Sequence, residues 1–180
     1  MLAQRLDDRR TLRLIEHSDA PELYDVVLAN REHLAAWMPW AAGQTLDGMV
    51  AFIDASRKQL AANQGFQAAI IQDAKIVGVI GYDRVNWQNR STSVGYWLAE
   101  SAQGHGTITA ATTTLVDHAF DRWKLNRLDI RAGVENHRSR AVAERLGFKL
   151  EGVLREAERI GDRYVDHAVY AMLARDWRAR

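Results

Sequence analysis

The sequence predicts an α+β fold in which helices flank one mixed, mostly antiparallel sheet. Short alternating segments typical of strands recur through the chain, and longer segments with helical spacing lie between them. A chain of 180 residues can bury a sizeable core, and two prolines and the absence of any repeat leave no obvious linker. We therefore expect one domain over residues 1–180.

The N-terminal half alternates strand and helix patterns. Ser18 and Pro21 mark the start of the first helix, because serine is a favoured cap and proline is tolerated in the first turn. Pro39 disfavours helical angles at Met38, so the Trp-Met-Pro-Trp segment is predicted to be a loop. The predicted elements are a strand at 11–15, helices at 18–30 and 46–60, and strands at 66–71 and 75–82.

The C-terminal half continues this alternation around a glycine-containing turn. A strand at 93–98 leads into the turn, and the segment after it carries apolar residues at the spacing of one helix face. The remaining predicted elements are a strand at 127–132, a helix at 139–146, and strands at 148–154 and 164–173.

The turn itself reads Gln103-Gly104-His105-Gly106-Thr107. A turn that opens a helix leaves backbone N–H groups unpaired at the positive end of the helix dipole, and glycines let an anion approach them closely. The structural alternative is a helix cap without a ligand. Neither common nucleotide fingerprint occurs, and no lysine lies beside the turn, so a pyrophosphate held by amides fits better than a triphosphate.

Composition excludes several classes of function. The net charge of +1 gives no strong field toward nucleic acid. The absence of cysteine excludes disulfides, cysteine zinc sites and a cysteine nucleophile, and the six histidines form no His-x-x-x-His pair, so we expect no metal site. No segment reaches membrane-spanning length and no signal-like run begins the chain, so we expect no membrane contact and a cytoplasmic protein.

Two blocks together resemble the GNAT acyltransferase superfamily. Its coenzyme A pyrophosphate loop reads Q/R-x-x-G-x-G/A, which Gln103 and Gly106 match, whereas the last position is Ile108. Its downstream element, N-x-x-[AS] followed by [KR]-L-G-F, is similar to Asn136-His-Arg-Ser139 and the later Arg-Leu-Gly-Phe. Within the superfamily the chain most resembles the ribosomal-protein N-acetyltransferase (Rim-type) group, through residues 30–34, 37–40, 95–98, 150–152 and 156–158.

The resemblance implies an N-acetyltransferase that uses acetyl-coenzyme A as co-substrate and no metal. It implies that residues 103–108, together with Asn136 and Ser139, bind coenzyme A. It also implies that a backbone amide near Leu98 polarises the thioester carbonyl, where the strand separates from its neighbour.

The same resemblance implies an acid and a base. Many members place a tyrosine seven residues after the motif asparagine, but Ala143 stands there, and Ser139 has the hydroxyl that the Rim-type group uses instead. Glu158 matches the carboxylate proposed as base in that group, with Glu100 in reserve. The structural alternatives are a helix cap for Ser139 and a solvated surface charge for Glu158.

The acceptor is predicted from the cost of deprotonating an amine. A peptide α-amine has a pKa near 8, so neutralising it at pH 7 costs about 1.4 kcal/mol, against roughly 4.6 kcal/mol for a lysine. A modest carboxylate base is therefore sufficient for an N-terminus. Trp37 and Trp40 are interpreted either as the wall of the acceptor site or as anchors of their loop.

These observations predict acetylation of the N-terminal α-amine of a ribosomal protein or peptide by direct attack in a ternary complex. One alternative is a small amine such as an antibiotic or polyamine, although the near-neutral charge balance indicates no acidic cleft. Another is a non-catalytic acyl-coenzyme A-binding module. The resemblance to the Rim-type group also allows a homodimer.

Overall fold

A computed structural model describes residues 3–180 and confirms the predicted fold class. The strands are β1 (Ala3–Arg5), β2 (Arg10–Leu14), β3 (Gln67–Gln72), β4 (Lys75–Tyr82), β5 (Ser91–Leu98), β6 (Arg127–Gly133), β7 (Lys149–Ile160) and β8 (Arg163–Leu173). The helices are α1 (Ala20–Ala29), α2 (Arg31–Ala35), α3 (Pro39–Ala42), α4 (Leu46–Ala61), α5 (Thr107–Asp117), α6 (His137–Arg145) and α7 (Ala174–Arg178). Among the residues described, the sheet order is β1-β2-β3-β4-β5-β6-β8-β7, and only β5 and β6 pair in parallel.

Two predicted local features are wrong. Ser18 does not cap α1; the cap is Asp19, whose buried carboxylate accepts from the N–H of Glu16 at 2.8 Å and from the Arg13 guanidinium at 2.6 Å. The Trp-Met-Pro-Trp segment is not entirely a loop, because Pro39 begins α3, where its missing N–H needs no partner.

The strand β7 is longer than predicted. The sequence pattern ends at Leu154, but the strand continues to Ile160 after a register shift between Leu154 and Glu158. Within that irregular stretch, Glu156 has a φ of +51° and its N–H donates to Asp166 Oδ1 at 2.7 Å. A bulge of this kind breaks the alternation of side chains, so period-two reasoning fails there.

The core has two parts, one on each face of the sheet. The face that α5 and α6 cover, here called the α5 face, buries Leu115 of α5 and the even-numbered residues Val94 and Leu98 of β5. The opposite face, here called the α1 face, is covered by α1 and α4 and buries Trp97 of β5. Alternation along each strand thus assigns neighbouring residues to opposite faces.

An aromatic cluster at the end of α5 surrounds His118. Its ring centroid lies 5.4 Å from that of Phe66 and 4.7 Å from that of Trp123, and its Nδ1 lies 3.3 Å from the Tyr82 hydroxyl. Burial among these side chains lowers the pKa of His118 to about 4. The folded protein therefore keeps this imidazole neutral under conditions in which an unfolded chain would protonate it.

We expect this histidine to make the fold sensitive to acid. Since the unfolded state binds the proton at a pKa of about 6.5 and the folded state resists it, stability should fall progressively as the pH drops from about 6.5 to about 4. Urea titrations across this range should show that decline. A folded His118→Gln variant should show a clearly shallower pH dependence; an unchanged slope would contradict the assignment.

None of the helices in the described range 3–180 combines the length and the hydropathy needed to span a membrane.

Candidate active site

The sheet opens between its two central strands. β5 and β6 are paired only where Ser91 to Ser93 face Arg127 to Asp129. Beyond these residues β5 stays paired with β4, whereas β6 stays paired with β8. The two strands therefore diverge, and residues 94–98 and 130–133 border an open space that we call the gap. The separation that the resemblance implied is present.

The turn from Gln103 to Thr107 opens α5. Gly106 is the cap residue with a φ of +73°, and Gly104 has a φ of +80°, both in the left-handed region that glycine adopts without strain. A Cβ added at either glycine would meet no atom within 4 Å. Within residues 3–180, no hydrogen bond occupies the N–H groups of Gly104, His105 or Gly106, and those of the first helical turn have no intrahelical acceptor.

Arg10 holds this turn from the protein side. Its Nη1 donates to the carbonyl of His105 at 3.0 Å and to Thr107 Oγ1 at 2.9 Å. Its Nε donates to Asp7 at 2.6 Å, and this hydrogen bond lowers the pKa of Asp7 to about 2. Sequence reasoning missed Arg10, because it lies 97 residues before Thr107 and no local pattern connects them.

The side chain of Gln103 connects α2 to α6. Its Nε2 lies 2.6 Å from His33 Nε2, and its Oε1 accepts from Arg138 Nη1 at 2.6 Å. The N–H of Gln103 donates to the carbonyl of Glu100 at 3.1 Å. The Gln103 side chain thus attaches the turn to α2 and α6. Its own N–H is already used, so in the described part of the chain the first N–H group free to bind an anion is that of Gly104.

The amide of Leu98 points into the gap. Leu98 pairs opposite Gly78, and the next N–H, that of Ala99, donates to Val77 of β4 at 2.7 Å. Successive N–H groups of an antiparallel strand point to opposite sides, so the Leu98 N–H faces away from β4. A Cβ at Gly78 would lie 2.3 Å from the Trp97 carbonyl oxygen, so glycine is required for this close approach.

The start of α6 lies on the α5 face of the gap. Asn136 caps the helix, since its Oδ1 accepts from the N–H of Ser139 at 3.1 Å. Ser139 itself is therefore not the cap, and its hydroxyl lies 3.1 Å from the hydroxyl of Tyr96, which is also 3.2 Å from the Ser139 carbonyl. Burial raises the pKa of Tyr96 to about 12, so this hydroxyl remains protonated. Ala143 follows one helical turn later and is fully buried.

Glu158 lies on β7 directly after the bulge and pairs opposite Val165. Its Oε2 lies 3.2 Å from Nε2 of His167, whose side chain is 18% exposed against 36% for Glu158. His167 pairs opposite Gly133, the last residue of β6. Because Ala168 of β8 faces the α5 core, His167 faces the α1 side.

The reserve carboxylate, Glu100, is placed differently. It is exposed in a short turn that precedes the glycine turn, and its N–H donates to Asn30 Oδ1 at 2.9 Å. Within residues 3–180, the Glu100 carboxylate makes no hydrogen bond or ion pair with a histidine, whereas the Glu158 carboxylate contacts His167. Sequence reasoning missed His167, because its contact with Glu158 depends on the register of β7 and β8 and no local pattern connects the two residues.

The two tryptophans lie on the α1 side at the rim of the gap. The Trp37 ring covers Gly133, where an added Cβ would lie 3.3 Å from the ring, and the Arg163 guanidinium lies 5.9 Å from the ring centroid. Trp40 is 39% exposed and packs against Trp97 with ring centroids 6.1 Å apart. Both rings thus contact strands that border the gap, one on each side of it.

These residues fit coenzyme A. The two glycines leave open space in front of unpaired N–H groups at the positive end of α5, which is what a diphosphate requires. The gap leads from this turn to the Leu98 amide. Within residues 3–180, no group of three or more potential metal ligands occurs.

The sequence profile of the acetyltransferase (GNAT) domain matches residues 9–149. The chain belongs to the GNAT acetyltransferase family. The predicted family, fold class and enzyme class are therefore confirmed.

Two bacterial proteins are similar to this GNAT chain over nearly its whole length. YdaF of Bacillus subtilis (strain 168) is 33% identical over 179 residues, which cover 98% of each chain. The ribosomal-protein-serine acetyltransferase of Escherichia coli (strain K12) is 30% identical over 176 residues, which cover 94% of this chain and 95% of the relative.

Solved GNAT structures also resemble this chain over nearly its whole length. RimL, the ribosomal L7/L12 α-N-protein acetyltransferase, in complex with coenzyme A superposes with a TM-score of 0.92 at 26% identity, covering 97% of this chain and 99% of RimL. The microcin C7 self-immunity acetyltransferase MccE, in complex with acetyl-CoA and AMP, gives a TM-score of 0.88 at 29% identity, covering 93% of this chain and 94% of MccE. The predicted cofactor is thus the one that these GNAT neighbours bind.

Proposed function

We propose that this GNAT acetyltransferase acetylates the N-terminal α-amine of a ribosomal protein or peptide. The observation that carries the proposal is the gap, which has the Ser139 hydroxyl on the α5 face, while on the α1 side His167 lies on the adjacent strand β8 and the Glu158 carboxylate contacts it from β7. A thioester entering from one face and an amine entering from the other would meet between the strands.

Acetyl-coenzyme A supplies the activated acetyl group. The open amides from Gly104 onward would hold its diphosphate, with Arg10 keeping the turn in place from behind. The N–H of Leu98 would donate to the thioester carbonyl as negative charge develops on its oxygen. Because the strand already fixes this amide, no reorganisation is needed during the reaction.

Ser139 would act as acid toward the departing sulfur. The helix position that often carries a tyrosine is the buried Ala143, which has no proton to donate. Tyr96 holds the serine in place instead, because its hydroxyl donates to the Ser139 carbonyl at 3.2 Å and lies 3.1 Å from Ser139 Oγ, which fixes the position of the serine hydroxyl.

Glu158 would provide the base on the acceptor side. An α-amine needs only about one pKa unit of help at pH 7, whereas a lysine needs more than three, so a partly exposed carboxylate suits the former. The resemblance to ribosomal-protein acetyltransferases supports the same acceptor class. Such an acceptor would place the reaction in the cytoplasm.

The test is a thiol-release assay with acetyl-coenzyme A and a panel of amines. The panel contains peptides with free N-termini, matched peptides with blocked N-termini and one lysine, and small amines including a polyamine and an aminoglycoside. We expect the largest kcat/KM for the free N-termini. A preference for blocked lysine peptides or for small amines would contradict the acceptor class, and coenzyme A binding without any turnover would indicate a binding module.

We expect Trp40→Ala to raise the KM for the amine about 10-fold and the KM for acetyl-coenzyme A less than 2-fold, because Trp40 is exposed beside the gap on the acceptor side. Initial-rate kinetics with both substrates varied give the two values. Trp87→Ala is the matched control, since Trp87 is 37% exposed but packs on Trp123, outside the gap. Equal increases in both KM values would favour a purely structural role.

For Trp37→Ala we expect the same bias toward the amine together with a loss of thermal stability, since this ring also covers Gly133 and contacts Arg163.

A further inference from the structure

The carboxylate of Glu158 is separated from the gap by a whole strand. β8 lies between β6 and β7 in the sheet, so the backbone of Glu158 is two strands away from β6. Neighbouring strands are about 4.8 Å apart, which puts that backbone about 10 Å from the border of the gap. A glutamate side chain is shorter than this distance, so a group on β8 between the carboxylate and the gap would let Glu158 act on an amine there.

His167 occupies that intermediate position. It pairs directly opposite Gly133 on β6, and directly opposite residues have their side chains on the same face with Cβ positions about 5 Å apart. Gly133 has no side chain of its own, and Val165 Cγ1 and the Trp37 ring lie 3.2 and 3.3 Å from the position that a Cβ would take there. Trp37 covers Gly133 from above, so the imidazole lies beside a residue of the proposed acceptor wall.

The contact between the two side chains defines the state of the ring. With Glu158 ionised, the 3.2 Å contact has Nε2–H of His167 donating to Oε2 of Glu158. The other ring nitrogen, Nδ1, then carries a free lone pair and can accept a proton. A carboxylate that holds one nitrogen in this way orients the ring and stabilises the imidazolium that forms.

An imidazole is also the better acceptor for this proton. The nitrogen that has bonded to the acetyl carbon must lose a proton, and an imidazole is intrinsically a stronger base than a carboxylate.

We infer that His167 takes the proton from the attacking amine and that Glu158 acts through it. This step rests on the proposed function. As the neutral amine nitrogen bonds to the acetyl carbon, the extra proton on that nitrogen moves to Nδ1 of His167, while Nε2–H stays with the ionised Glu158. The C–S bond then breaks as the sulfur takes the proton of Ser139, after which the imidazolium releases a proton to solvent and the serine regains one from it. Arg131, opposite Val169 two residues along β8, and Arg163, at the start of the strand, are charged residues on the same α1 side.

The test compares His167→Gln and Glu158→Gln on the peptide that the wild-type enzyme acetylates best, from pH 5.5 to 9.5. Log kcat/KM of the wild type should rise with slope two in the most acidic part of this range, where enzyme and amine both lose a proton, and with slope one at higher pH up to about pH 8. In His167→Gln, kcat/KM should fall at least 10-fold at pH 7 and the slope should be one throughout.

Glu158→Gln should behave differently. This variant keeps an acceptor for Nε2–H of His167 but removes the negative charge. The decrease in kcat/KM should therefore be smaller than in His167→Gln, and the slope of two should persist but be confined to lower pH. If Glu158→Gln abolishes the slope of two while His167→Gln keeps it, Glu158 is the base by itself and the inference fails. A His167→Gln enzyme with wild-type kcat/KM at pH 7 also overturns it.

Two controls separate this inference from folding and from the proposed function. His17→Gln removes an exposed histidine that lies 2.5 Å from Asp54, far from the gap, and should leave the profile unchanged. Calorimetry should give wild-type coenzyme A affinity for folded His167→Gln. If His167→Gln does not fold, the same measurements are made on His167→Asn. If the wild type acetylates no free N-terminus, the proposed function fails, whereas a normal wild type with an unaffected His167→Gln refutes the role of His167 only.

Discussion

Gly106→Glu should weaken coenzyme A binding about 10³-fold while the chain still folds. The substituted carboxylate would stand in the open space before the N–H groups of the turn, where a diphosphate carries like charge. At a few ångströms and an effective dielectric constant of about 20, one such repulsion costs roughly 4 kcal/mol. Isothermal titration calorimetry with coenzyme A measures the loss directly.

Gly106→Gln is the matched control for this substitution. Both variants force a side chain onto a residue with a φ of +73°, which costs about 1–2 kcal/mol of stability in each, so their melting temperatures should fall together. Gln fills nearly the same volume without charge and should lose only about 10-fold in affinity. Wild-type affinity in folded Gly106→Glu would remove the turn from the coenzyme A site.

The parts of this site that are formed by residues close together in the chain could be predicted from the sequence. A strand, two glycines and a helix face follow one another over residues 93–120, and each element imposes its own local pattern. Asn136 was readable for the same reason, since a cap acts on the residue three positions ahead, here Ser139.

The contacts that complete the site depend instead on sheet register. Tyr96 meets Ser139 across 43 residues, and Arg10 meets Thr107 across 97, at positions that no local spacing encodes. The alternation of β5 did assign Tyr96 to one face, but which helix residue lies above it depends on how far β5 and β6 diverge.

The acceptor side was hidden for a different reason. A bulge between Leu154 and Glu158 shifts the register of β7, so counting residues along the strand does not show which side chain Glu158 meets. The contact of its carboxylate with His167 follows only from the observed register, and the position of β8 between β6 and β7 follows only from the observed strand order. Pro39, by contrast, was read correctly for Met38 and wrongly for Trp40, because proline restricts the residue before it but can start a helix.

Ser139→Ala should lower kcat by roughly 10²- to 10⁴-fold, the usual range for a general acid, and leave coenzyme A bound with an affinity within about 3-fold of wild type. The fold should tolerate the change, because Asn136 caps α6 through the backbone N–H of Ser139 rather than through its hydroxyl. Steady-state kinetics and calorimetry on the same preparation separate catalysis from binding. An unreduced kcat would leave the sulfur without an acid from this helix.

Tyr96→Phe shows whether the serine depends on its neighbour. It removes only the hydroxyl that lies 3.1 Å from Ser139 Oγ and should cost about 10-fold in kcat in the wild-type background. In the Ser139→Ala background the same change should cost less than 2-fold, since there is no longer a serine proton to orient. Tyr24→Phe is the control, because Tyr24 lies on α1 and packs against the core on the α1 face. It should leave kcat unchanged in both the wild-type and the Ser139→Ala backgrounds. Equal losses in both backgrounds would mean that Tyr96 acts on the packing of the gap and not on the proton of Ser139.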